Sequence, residues 1–224
     1  MSNRLFFDKY FSLASLTRAF ILLIVLFALF GILSWLLAFF VYGRTNCGDR
    51  IRSISNARNI ALALKAYAVD HDGNLPQGNT ATEVFSKLLP VDKDTSGYIM
   101  DKSVFYVIGS EWTPKPLPEN DPNPSIVSKE QNHWALMSGY SINDPKNAHY
   151  PLIFDGPANP EGKYHYSPNE KGGYRNGKSA IVVRADGSAK LEQLKEQYIA
   201  TDGKDNILQP TDTWIPGGKL LMPW

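Results

Sequence analysis

The stretch AFILLIVLFALFGILSWLLAFFVYG, residues 19–43, constrains the fold of this chain more than any other feature. It holds no charged residue, and arginines flank it at positions 18 and 44. As a helix rising about 1.5 Å per residue it would be about 37 Å long, enough to cross a hydrocarbon core of about 30 Å. The sequence therefore predicts one membrane-spanning helix that is retained in the mature protein.

A cleavable signal peptide is the alternative interpretation of the same stretch. Such a peptide has a shorter apolar core, followed by a cleavage site with small residues. Residues 19–43 are too long for that core, and no such site follows them. The composition therefore favours a permanent anchor in a lipid bilayer.

The charges around the span leave its orientation open, because basic residues stand on both sides. We expect residues 1–18 to form a cytoplasmic or interfacial tail, since a short tail before a first span usually stays inside. The residues after the span would then lie outside the cytoplasm.

Within the span, small residues recur on one helical face about 120° wide, which favours close packing against a second helix, although small residues are also common in membrane helices. These residues are Ala28, Gly31, Ser34 and Ala38.

Beyond the span, residues 44–200 are predicted to form one α+β domain. A break over 44–49 with Asp49 as the cap should precede an amphipathic helix over 50–70, whose apolar residues recur at helical spacing. This helix should pack on a small antiparallel sheet with long loops. Residues 201–224 are predicted to be an apolar C-terminal tail.

The sheet and its connections follow from local patterns in residues 81–200. A β-branched run, a turn with Asp186-Gly187 and a return predict a hairpin. The five prolines of TPKPLPENDPNPS predict a loop over 113–125. Short helices are predicted over 81–90 and 191–200, and further strands over 103–109, 133–141 and 150–156.

The segment GGYRNGKS matches the phosphate-binding pattern G-x-x-x-x-G-K-[ST] with Gly172, Gly177, Lys178 and Ser179. That pattern works only between a buried strand and a helix, where backbone N–H groups and the helix N-terminus meet the phosphates. Here a polar stretch precedes it and a β-branched run follows. The sequence therefore disfavours nucleotide binding and predicts a turn entering a strand.

No other motif predicts catalysis or a cofactor. Asp70 and Asp72 resemble the start of a calcium loop, but Leu75 and Ala81 stand where that loop needs Gly and Glu. A helix-ending turn is therefore favoured, and the two aspartates are only weak metal candidates. The four histidines are scattered, no nucleophile motif occurs, and Cys47 is the only cysteine. A net charge of +1 without basic clusters disfavours nucleic acid as a partner.

The order of these segments resembles the type IV pilin and type II secretion pseudopilin superfamily, above all the pilin-like proteins of planctomycete and verrucomicrobial bacteria. The resemblance lies in ARNIALALKAYAVDHDGNLP and RNGKSAIVVRADGSAKLEQL, and covers about residues 50–195. A Tyr, Asp, Gly, Pro pattern at the end of the first helix and a late ADGS hairpin are characteristic of that family. They are matched here by Tyr67, Asp70, Gly73 and Pro76, and by residues 185–188.

This resemblance implies a bacterial inner-membrane protein with its domain in the periplasm. The chain departs from the family because its first glycine, Gly31, lies inside the span, and its first glutamate is Glu83. It therefore lacks the leader-cleavage site and the early glutamate of filament subunits. We expect a non-catalytic structural or accessory subunit that binds other membrane proteins, with Trp214 and Trp224 as contact candidates. The alternatives are a pilin or pseudopilin in a filament, and a membrane-tethered domain that binds a ligand or metal.

Overall fold

The computed structural model describes residues 13–91, 96–107, 126–128, 131–167, 170–173, 178–200 and 203–224. The chain divides into two compact units, Met1–Gly48 and Asp49–Trp224. The predicted loop over 113–125 lies outside the described residues.

The first unit is helical from Leu13 onward. Residues Thr17–Ala38 are long and apolar enough to cross a membrane, and none of this segment is buried. Its large apolar side chains, from Phe20 to Leu37, are 40–70% exposed. The side chains of a soluble core helix would instead be covered by the rest of the protein. The apolar helix expected over 19–43 is therefore present, as a membrane span or a signal sequence.

Helix α1 runs from Leu13 to Asp70 without interruption. The predicted break over 44–49 is wrong, and Asp49 lies inside the helix rather than capping a new one. A glycine in a helix costs about 1 kcal/mol relative to alanine. The combined cost of the two glycines at positions 43 and 48 is too small to end a long helix. The predicted end of the helix at Asp70 is confirmed.

The second unit is an α+β domain with a six-stranded antiparallel sheet in the order β5-β4-β3-β2-β1-β6. Helix α2 spans Ala81–Ser86, and short 3-10 helices span Lys102–Phe105 and Pro145–Asn147. The strands are β1 Trp134–Ser138, β2 Pro151–Asp155, β3 Ser179–Arg184, β4 Ala189–Lys195, β5 Tyr198–Ile199 and β6 Lys219–Leu221.

Both faces of the sheet are covered, so strands β1, β2, β3, β4 and β6 contribute side chains to two cores. On one face, Ala57, Ile60 and Leu64 of α1 pack with strand residues such as Leu136 and Val183. We call this cluster the helix-side core. The opposite face forms the far-side core. Its members are Ala135, Met137, Phe154, Tyr164, Ala180, Val182, Ile199, Ile207, Leu208, Trp214 and Ile215.

Three sequence predictions for this unit differ from the structure. The segment predicted as a strand over 103–109 begins with a 3-10 helix, because the Asp101 side chain accepts a hydrogen bond from Ser103 N at 2.8 Å. The helix predicted over 191–200 is instead the second half of β4 together with β5. The segment predicted as a C-terminal tail supplies edge strand β6, which pairs with β1.

The hairpin of β3 and β4 turns at Asp186, as the sequence predicted. Partial burial, the largest single effect on the Asp186 pKa, raises it. Hydrogen bonds from Ser188, including Ser188 N at 2.7 Å, and the charges of Lys65 and Arg184 outweigh burial, so the pKa is lowered below 3.8. A lowered folded-state pKa means that ionised Asp186 stabilises the fold above the unfolded pKa, and that this stability is lost as the pH falls.

We therefore expect Asp186→Asn to destabilise the protein at neutral pH and to have almost no effect at a pH below the folded-state pKa. Urea unfolding of the full chain in detergent, followed by tryptophan fluorescence at both pH values, measures this difference. Asp212→Asn at an exposed position is the matched control. A destabilisation by Asp186→Asn that is the same at both pH values would contradict the expectation.

Candidate functional site

The turn after α1 holds the two aspartates that the sequence offers as weak metal candidates. Tyr98 donates its hydroxyl to Asp70 Oδ2 at 2.7 Å, and this hydrogen bond, followed by burial and the carboxylate charge, raises the pKa of Tyr98. The Tyr67 and His71 rings stack with centroids 3.7 Å apart, and Tyr98 meets Tyr67 edge-on at 5.5 Å. Asp70 thus anchors an aromatic cluster at the helix end.

Asp72 lies in the turn itself, where Gly73 N donates to Ala68 O at 2.7 Å and Asn74 N to His71 O at 3.0 Å. The first of these bonds satisfies one of the last carbonyl groups of the helix, and the second closes the turn after it. Within the part of the chain that the structure describes, no group of three or more His, Cys, Asp or Glu side chains could hold a metal ion. The arrangement around Asp70 and Asp72 therefore ends a helix.

The segment that matches a phosphate-binding loop leads directly into β3, which begins at Ser179. Lys178 O accepts a hydrogen bond from Leu194 N at 2.8 Å, so the end of this segment already belongs to the β3–β4 ladder. Residues 174–177 lie outside the described residues. The predicted strand after this segment is confirmed, and a strand offers no helix N-terminus to a phosphate.

Two buried titratable side chains, His133 and Asp155, lie next to each other, and sequence patterns did not single them out. His133 Nε2 lies 3.7 Å from Asp155 Oδ1, and the two side chains are 3% and 5% exposed. Asp155 Oδ2 accepts a hydrogen bond from Ile181 N at 2.9 Å, and the Asp155 carbonyl accepts one from the Tyr164 hydroxyl at 2.6 Å. The pair therefore ties β2 to β3 and to the residue that precedes β1.

His133 and Asp155 do not line either of two clefts near the end of α1. A polar cleft of about 500 Å³ is lined by Asp72, Asn74, Ser141 and Lys219, among others. A second cleft of about 1220 Å³ includes Tyr67 and residues of α2. Because the pair joins β2, β3 and the residue before β1, we assign it to the stability of the sheet.

The two tryptophans expected to contact partners lie in different surroundings. Trp214 is only 7% exposed, and its indole Nε1 donates to Ile207 O at 3.1 Å. It belongs to the far-side core, where Tyr150 packs edge-on at 5.1 Å, so it has little surface to offer a partner. Trp224 is half-buried, with Lys171 Nζ 5.3 Å from its ring centroid.

The small-residue face of the first unit is open along its length. Ala28, Gly31, Ser34 and Ala38 are all exposed, and a Cβ added at Gly31 would meet nothing within 4 Å. This geometry leaves room for a second helix. It does not by itself identify one.

A second open surface lies on α1 within the domain, on the side away from the sheet. Ile51, Leu62 and Val69 are 63%, 60% and 73% exposed. At about 100° per residue these three positions fall within about 20° of one another on the helix. We call these three residues the outer stripe. Sequence reasoning missed it because the stronger apolar face of the same helix, buried in the helix-side core, dominates the periodicity.

No protein-family model matches this chain, and no curated protein or solved structure is significantly similar to it. We therefore infer function from the geometry of the chain itself.

Proposed function

We propose that this chain is a single-pass membrane protein whose pilin-like domain lies outside the cytoplasm and serves as a structural or accessory subunit of a larger membrane assembly. The observation that carries the proposal is the exposed apolar helix over Thr17–Ala38. Moving a large apolar side chain out of water is worth about 1.5–3 kcal/mol. Transfer of so many exposed apolar side chains from water into a bilayer therefore supports a membrane span.

The pilin-like assignment is supported by the way α1 meets the sheet. Its buried side, with Ala57, Ile60 and Leu64, packs on an antiparallel sheet, and residues 185–188 connect strands β3 and β4. The bacterial inner membrane and the periplasmic position of the domain follow from that resemblance and from the expected orientation.

A structural role is favoured over catalysis by the chemistry of the domain. Its buried His133–Asp155 pair joins neighbouring strands, and its aspartates at the end of α1 hold an aromatic cluster and a turn. Two of its open apolar surfaces are helical: the small-residue face of the first unit and the outer stripe. Helical surfaces of this kind suit contact with other subunits.

Purification of the full chain from its native membrane in mild detergent tests this role. We expect a stable complex with one or more other membrane proteins in a fixed ratio, retained through size exclusion. The matched control replaces Gly31 with isoleucine, which fills the small-residue face and should release a partner bound there. A lone monomer from the unaltered chain would contradict the proposed role.

A filament subunit of the pilin or pseudopilin type is the second candidate, favoured by the unbroken course of α1 from Leu13 to Asp70. Mass spectrometry of the mature N-terminus separates the two. Cleavage directly before an apolar residue at the start of the span supports a filament subunit. An N-terminus ahead of Arg18 supports the fixed anchor.

A further inference from the structure

We draw no further inference here: the strongest candidate, the cleft beside α2 that is lined in part by the exposed side chains of Val91 and Ile126, carries nothing, because nothing in the structure shows what covers these side chains.

Discussion

Replacing Asp155 with alanine is expected to lower the free energy of unfolding by about 2–6 kcal/mol, because two buried polar groups each lose a partner. The carboxylate lies 3.7 Å from His133 and also accepts the Ile181 amide at 2.9 Å. In the alanine variant, the His133 side chain and the Ile181 amide both stay buried and lose the carboxylate as a partner. Denaturant unfolding of the full chain in detergent, followed by the fluorescence of buried Trp134 and Trp214, measures the loss.

Asp155→Asn is the matched control for this variant. The asparagine carbonyl oxygen can still accept the Ile181 amide, so only the charge opposite His133 is removed. We expect a smaller loss, about 1–3 kcal/mol. If the alanine variant unfolded within about 1 kcal/mol of the unaltered chain, a value ordinary for surface substitutions, the pair would not hold the strands together.

The second large effect is expected at Gly139, where the chain leaves β1 and meets the turn that leads into β6. Gly139 has φ 88°, and a Cβ there would lie 2.1 Å from Gly217 O, a backbone atom. Alanine must therefore adopt a left-handed conformation and also displace the segment before β6. The two costs are about 1–2 kcal/mol for the conformation and about 1–3 kcal/mol for the overpacking.

Gly187→Ala separates these two costs. Gly187 also has φ 88°, but a Cβ added there meets nothing within 4 Å. We expect it to lose only the conformational part, about 1–2 kcal/mol. Thermal unfolding of both variants compares them directly. Equal losses would show that the contact between Gly139 and Gly217 does not hold the C-terminal strand in the sheet.

Elements with a strong local pattern were predictable from sequence. The helix end at Asp70 and the β3–β4 hairpin follow from helical periodicity, a β-branched run and an Asp-Gly turn. The helix predicted over 191–200 failed because its residues favour helix locally while their packing requires a strand. Leu191 packs on the helix-side core and Leu194 on the far-side core. Residues three apart share a face of a helix but not of a strand.

Contacts between segments distant in sequence could not be predicted. His133 and Asp155 are 22 positions apart, and they meet only because Trp134 lies opposite Asp155 in the β1–β2 register. The C-terminal segment was interpreted as a tail because β6 has only three residues, and its pairing with β1 leaves no local signal. The outer stripe could not be recognised from the sequence, because the exposed side of α1 is defined only by the packing of the helix on the sheet.

The retention of the apolar helix in the bilayer is tested most directly on the mature protein in its native membrane. Membranes are washed with alkaline carbonate, which strips peripheral proteins, and the remaining chain is analysed by intact-mass spectrometry. We predict that the chain stays in the membrane fraction with a mass that includes residues 17–38. A chain found in the soluble fraction and beginning after residue 43 would contradict the account.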